Sequence, residues 1–256
     1  MTNNFLIVGT QRTGSTALFN LLNLHPDIAC GAEWARRVAW HKKLRVVENG
    51  LAGMFSDLEP RHQEKITQMY HPHKCWLGCK ILFRASDQWV AHPRLSPALW
   101  LDRLEAYLKW IARQPDIHII HLTRSHAIEW LKSKYMSEAT GFYTGKRYPD
   151  GLKVTIPVRR AVKRLYAKNW VDARLETLAH SNPYRHIFYE DFLKSNYDIT
   201  ASVLQFLSCD LTKLPENIQN EQPTRRQSEG EAINYISNYK ELITELERRS
   251  LFFTSH

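Results

Sequence analysis

Residues Gly9 to Thr16, GTQRTGST, join an apolar run to the start of a helical pattern. A turn of this kind aims backbone N–H groups and a helix N-terminus at an anion. Thr13, Ser15 and Thr16 add hydroxyl groups, and Arg12 adds a fixed positive charge. The chemistry suits a phosphate or a sulfate at the carboxyl end of a strand. A triphosphate loop would read G-x-x-x-x-G-K-[ST]. Here Gly9 and Gly14 are followed by Ser15 and Thr16, so the lysine is absent. The strand that should end in a magnesium-holding acid ends HLTR, with Arg124. Two parts of a metal–triphosphate machine are therefore missing. The alternative is an ordinary tight turn, since Gly, Ser and Thr also suit turns and helix caps.

A second basic motif, HIIHLTRSHAIEWLKS, places Arg124 at a strand end and Ser133 nine residues on, along the next helix. Arg124 can fork onto a phosphate and Ser133 can donate from the helix. Taken alone, the two could equally be a solvated arginine and a surface serine.

Together, GTQRTGSTAL and HLTRSHAIEWLKS resemble the two nucleotide motifs of sulfotransferases that use 3′-phosphoadenosine 5′-phosphosulfate. The likeness is to the bacterial branch that sulfates carbohydrates and glycolipids, of the Nod-factor type. The resemblance implies that Arg12 takes the catalytic lysine-or-arginine position. It implies that Gln11, Arg12, Thr13, Gly14, Ser15 and Thr16 form the 5′-phosphosulfate loop, and that Arg124 and Ser133 bind the 3′-phosphate. His126 stands where Asn is commoner. HPDIACGAE, LGCKILF with Lys80, FYEDF and TRRQSEGEAINYISNYKEL resemble further family segments, in order along residues 5–242. The last implies a basic loop over the nucleotide, with Arg225 or Arg226, and Ser228, as further candidates for the 3′-phosphate; its other reading is a plain linker. Glu33, in CGAEWARR, falls at the branch's catalytic glutamate and is expected to be the general base. Its other reading is an ion pair with Arg36 or Arg37. His25 and Asp27 are the fallbacks, although both suit the end of the preceding helix.

The implied reaction moves a sulfuryl group to an acceptor hydroxyl, releases adenosine 3′,5′-bisphosphate and needs no metal. A sulfuryl group carries less charge than a phosphoryl group, so an arginine and backbone donors can replace a magnesium clamp. The acceptor implied is a carbohydrate or glycolipid, with a small natural-product or lipid alcohol second. The competing readings are a P-loop kinase and a nucleotide- or nucleic-acid-binding protein without chemistry.

Other clusters read as structure. HPHKCWLGC holds His71, His73, Cys75 and Cys79, a zinc-like count without zinc-like spacing. Cys75, Leu77 and Cys79 would share one strand face in the core. The basic run 159–176 could bind nucleic acid. It reads instead as an amphipathic helix with Val162, Tyr166 and Trp170 facing inward.

These residues need a frame to hold them. Apolar runs predict strands at Phe5–Val8, Ile28–Cys30, Leu77–Phe83, His118–Leu122 and His186–Tyr189. Helical patterns cover Ser15–Leu24, Pro60–Tyr70, Leu99–Arg113, His126–Thr140, Arg159–His180, Asp191–Leu207 and about Glu231–Arg249. Strands alternating with helices predict an α/β fold of P-loop-like, three-layer form: about five parallel strands with helices on both faces. Residues 140–157 and 208–230 read as long loops, which in a compact domain are often functional. With 256 residues, one domain over 1–256 is expected. Hydrophobic residues make up 43% and charged residues 24%, which supports a core and argues against disorder. A net charge of +9 favours an anionic ligand, a nucleic acid or an acidic surface without choosing among them. Four cysteines and no visible leader or membrane span predict a cytoplasmic protein. Oligomeric state is not legible.

Overall fold

Phe5, Leu6, Ile7 and Val8 are all fully buried. A strand buried on both faces belongs at the centre of a covered parallel sheet, and that is where the chain puts it. The computed structural model describes residues 3–31, 75–83, 97–143, 147–215 and 230–251. Strand β1 (Asn3–Thr10) pairs in parallel with β3 (Trp76–Phe83) on one side and β4 (Ile117–Thr123) on the other. Strand β2 (Ile28–Gly31) flanks β3, and β5 (Tyr184–Phe188) flanks β4. The order is β2-β3-β1-β4-β5, all parallel.

The side-chain period of two sends alternate residues of β1 into different cores. Leu6 and Val8 pack with Leu104, Leu108 and Ile111 of α2 (Pro97–Ala112) and with Val171 and Leu175 of α4 (Val158–Glu176). Phe5 and Ile7 pack with Leu18, Leu21 and Leu22 of α1 (Ser15–Leu22). They also meet Val203 and Leu204 of α6 (Asn196–Phe206). The three expected layers result. Close packing also fixes one glycine: a Cβ on Gly78 of β3 would lie 2.2 Å from the Phe5 ring. A third core joins α3 (Ala127–Thr140), the first half of α4 and α7 (Tyr239–Arg248) to Tyr148, Val154 and Ile156.

Several element ends move from their predicted places. Helix α1 stops at Leu22, and the 159–180 pattern becomes α4 plus a 3-10 turn over Thr177–His180. The predicted 191–207 helix breaks into α5 (Tyr189–Lys194) and α6 because the Ser195 side chain caps α6, accepting from the Asp198 N–H. The last strand runs Tyr184–Phe188, and Tyr189 already opens α5. The C-terminal pattern resolves into a 3-10 turn, Ala232–Asn234, and then α7. The predicted helix at Pro60–Tyr70 lies outside the described residues.

One helix face is reversed. On α4, Val162 is buried as expected, but Tyr166 and Trp170 are 50% and 38% exposed. Arg164, Lys168 and Asp172 point inward instead. Pairing makes this tolerable: Arg164 bonds Glu138 at 2.8 Å, and Lys168 bonds Asp172 at 2.8 Å.

Candidate functional site

Parallel pairing alone brings the two sequence motifs together. Gly9 of β1 lies in register with Leu122 of β4, so the loops that follow leave the same sheet edge side by side. The strand order reverses at β1, the place where open α/β sheets bind ligands.

The first loop is held open by two left-handed residues. Gly14, the residue before α1, has φ 81°. A Cβ there would come within 2.5 Å of the Tyr189 ring, so only glycine fits. Arg12 has φ 71° without being glycine, a conformation costing on the order of 1–3 kcal/mol. Neighbours hold it there. The buried Trp130 indole donates to the Gln11 carbonyl at 2.8 Å, and Lys134 Nζ donates to Gln11 Oε1 at 3.0 Å. Lys134 also pairs with Glu138, and Glu138 with Arg164 of α4. Gln11 therefore serves the loop's shape, its side chain turned to α3. Thr13 Oγ1 donates to the Thr10 carbonyl at 2.9 Å and closes the turn, so its hydroxyl proton is already engaged. Thr16 Oγ1 accepts from the buried Lys80 Nζ at 3.0 Å, which brings a lysine from β3 to the mouth of α1.

Arg12 Nε donates to Ser133 Oγ at 2.9 Å. The same guanidinium reaches the Tyr143 carbonyl and, at 3.4 Å, the Tyr148 hydroxyl. Residues assigned by resemblance to opposite ends of one nucleotide thus touch each other. The described part of the 140–157 loop supplies two of the partners, and the loop is itself pinned. Val154 N donates to the Tyr235 carbonyl at 2.8 Å, and Ile156 N to Asn238 Oδ1 at 3.0 Å.

Arg124 is buried, with its guanidinium 4.5 Å from the Tyr189 ring centre. It bonds Glu129 at 3.3 Å, and its Nε has no hydrogen-bond partner among the described residues. Burial pulls its pKa down, while Tyr189, Glu129 and Glu190 push the other way. Glu190, from the FYEDF segment, accepts from the Ser125 and His126 N–H groups, each at 3.1 Å. Burial raises the Glu190 pKa, but these backbone bonds outweigh it and hold the carboxyl below its ordinary value.

Gln11, Arg12, Thr13, Gly14, Ser15, Thr16, Arg124 and Ser133 are therefore brought to one edge. Glu33, Arg225, Arg226, Ser228 and the ion-pair partners Arg36 and Arg37 lie outside the described residues. Strand β2 ends at Gly31, two residues before Glu33, and runs towards that same edge, with Gly31 in register with Cys79 of β3. Of the fallbacks, His25 is fully buried. Its Nδ1 accepts from Asp27 N at 3.2 Å, and its Nε2 donates to the Asp210 carbonyl at 2.9 Å. Asp27 is paired with Lys213 at 2.8 Å. Neither side chain caps α1, whose C-cap is Asn23; instead they tie the turn before β2 to residues 210–213.

Sequence reasoning missed Glu129, Trp130, Lys132, Lys134, Tyr148 and Glu190. A signal existed for four of them. Glu129, Lys132 and Ser133 share one helical face at i, i+3 and i+4, and Trp130 and Lys134 share the next.

The zinc-like cluster does not assemble as read. His71 and His73 lie outside the described residues. Cys79 is buried, its thiol pushed up to about 12 by desolvation. Cys75 is exposed and Leu77 half-buried, so the shared core face is not found. Among the described residues His121, Glu176 and His186 bring ligand atoms within 4.8 Å of one another. The two imidazoles, however, stack at 8° with centres 4.9 Å apart, so no one ion lies in both ring planes. Among the described residues no helix is long and apolar enough to cross a membrane.

Residues 4–213 match the sulfotransferase family. Of solved structures, a sulfotransferase from Alicyclobacillus acidocaldarius is similar at 13% identity with TM-score 0.54, covering 97% of this chain and 92% of that one. The sulfotransferase domain of the Synechococcus PCC 7002 olefin synthase aligns at 16% identity with TM-score 0.46, covering 97% and 88%. No curated protein matches the chain. The first likeness is one of fold, a parallel five-stranded sheet of P-loop-like form. With four-fifths of its length matched, and a glycine turn that replaces the triphosphate lysine by Ser15, the chain belongs to the sulfotransferase family.

Proposed function

We propose that the chain, acting as one domain over residues 1–256, transfers a sulfuryl group from 3′-phosphoadenosine 5′-phosphosulfate to an acceptor hydroxyl. The observation that carries this is the meeting of the two motifs: Arg12 of the β1 loop bonded to Ser133 of α3, with Arg124 at the end of the neighbouring strand. The residues present suit the donor. The orphaned, buried Nε of Arg124 leaves part of its fork for a phosphate oxygen. The amides of the 11–16 turn and the N-terminus of α1 suit the 5′-phosphosulfate.

The nucleotide supplies an activated sulfuryl group. Gln11, Thr13 and Gly14 hold the turn, while Ser15 and Thr16 present hydroxyls at the start of α1. Arg12 donates to the oxygen on which negative charge develops as the phosphate leaves. Glu33 takes the proton of the attacking hydroxyl. Arg124 and Ser133, with Arg225, Arg226 and Ser228 from the basic loop, hold the 3′-phosphate. No metal is needed. A carbohydrate or glycolipid is the acceptor the sequence resemblance favours, and four free cysteines suit a cytoplasmic setting.

The donor half is tested by calorimetry with adenosine 3′,5′-bisphosphate, ATP with magnesium and a short oligonucleotide. The bisphosphate is expected to bind in EDTA and the others weakly. Tight magnesium-dependent ATP binding would favour the kinase reading, and oligonucleotide binding the non-catalytic one.

A further inference from the structure

The Arg124 centre contains its own anion. Glu129 Oε2 is 2.7 Å from Lys132 Nζ and 3.3 Å from Arg124 Nη2. The Arg124 and Lys132 side chains are 7% and 1% exposed, whereas Glu129 is 22% exposed. Lys132 also donates to the Gly230 carbonyl at 3.1 Å and lies 5.2 Å from the Tyr235 ring centre. Two cations this far from water need a counter-charge, since an uncompensated buried charge is strongly destabilising. One carboxylate oxygen serves both. The triad keeps a net positive charge, and Arg124 keeps an orphaned Nε.

We propose that Glu129 is a built-in competitor for the Arg124 anion site, a carboxylate that a ligand's phosphate must displace from Arg124, and that it thereby sets donor affinity and phosphate selectivity. The inference rests on the reading of Arg124 as the 3′-phosphate site. A phosphate on Arg124 brings up to two negative charges beside the carboxylate, which repels it. Glu129 has somewhere to go: it stays on Lys132, whose bond to Gly230 anchors the segment that follows Arg225 and Arg226 in the chain. The least buried member of the triad is thus the one free to yield, while both cations are fixed by packing. Glu129 therefore has opposite effects on the two states. It stabilises the protein without nucleotide and weakens the complex.

That opposition is the test. Glu129→Gln keeps the shape and removes the charge. Calorimetry with adenosine 3′,5′-bisphosphate should show binding tightened by about ten-fold, the scale of one removed repulsion in a partly screened site. Adenosine 5′-monophosphate, which lacks the 3′-phosphate, should bind as to the wild type. The melting temperature without nucleotide should fall. Glu129→Asp, whose shorter arm withdraws from Arg124, should tighten bisphosphate binding in the same direction if the Gln variant folds poorly. Unchanged or weaker bisphosphate binding by these variants overturns the inference and leaves the donor reading standing. Equal tightening of both nucleotides also overturns it, because the effect is then not at the 3′-phosphate. If the wild type does not bind the bisphosphate, the donor reading fails and takes this inference with it.

Discussion

Arg124 is expected to discriminate between nucleotides. Arg124→Ala removes a charge-assisted bond to the 3′-phosphate, worth roughly 1.5–3 kcal/mol. Adenosine 3′,5′-bisphosphate should therefore bind about ten-fold or more weaker, while the 5′-monophosphate barely changes. Equal losses in calorimetry would reject the assignment. Glu33→Gln should separate chemistry from binding. Loss of a general base lowers turnover about 10²–10⁴-fold, with donor affinity little changed. Arg36→Ala is the control: a matching loss of turnover would mean that Glu33 serves an ion pair. Residue types drew attention to Arg12 and Arg124 after strand ends and to Ser133 on the helix that follows, but the resemblance to the sulfotransferase motifs was needed to assign them. They did not show that Arg12 bonds Ser133 directly, nor that Glu129 and Glu190 occupy the surrounding donors. The Arg12–Ser133 contact spans 121 positions and those of Glu190 span 64 and 65, and no local pattern encodes such distances.

At the scale of elements, the turn between β1 and α1 is the most constrained piece. Gly14→Ala sets a Cβ against Tyr189 at a φ of 81° and should lower stability by about 1–3 kcal/mol. Urea unfolding measures this, and an unchanged midpoint would mean the turn is relaxed. Lys134→Met should act differently, loosening Gln11 and the strained Arg12 without touching a ligand. Strands were legible because buried parallel strands are short apolar runs. The inward face of α4 was not. Hydrophobic patterning places Tyr166 and Trp170 inside, but Arg164 and Lys168 win that face through carboxylates. Glu138, one of the two, comes from a different helix. The predicted 191–207 helix was divided where the Ser195 side chain caps α6.

For the whole molecule, a half-buried carboxylate, Glu190, and a buried one, Asp172, set the acid limit. Glu190 is held below its ordinary value of 4.5 and Asp172 below its ordinary 3.8. Burial opposes both shifts; the backbone amides at the start of α3 win for Glu190, and His121 with Lys168 win for Asp172. A depressed folded pKa stabilises the native state above the unfolded value and loses that contribution as pH falls through the folded one. Urea midpoints should therefore hold above about pH 5 and drop steadily below about pH 4. Glu190→Gln should start lower and show a shallower acid loss, and an acid slope as steep as the wild type's would contradict the assignment. The parallel sheet and its two covering layers followed from alternation of element types. The third core did not, because it joins α3, α4 and α7 to the 147–156 segment, which reads as loop.

The central claim is metal-free sulfuryl transfer at the Arg12 turn. It is tested most directly by offering the protein a sulfur-35-labelled donor and a phosphorus-32 γ-labelled ATP, with a pool of carbohydrates and glycolipids. The predicted result is sulfur label in the acceptor fraction in the presence of EDTA, with an equal amount of adenosine 3′,5′-bisphosphate released. Phosphorus label transferred only with magnesium, and no sulfur label moved, would contradict it.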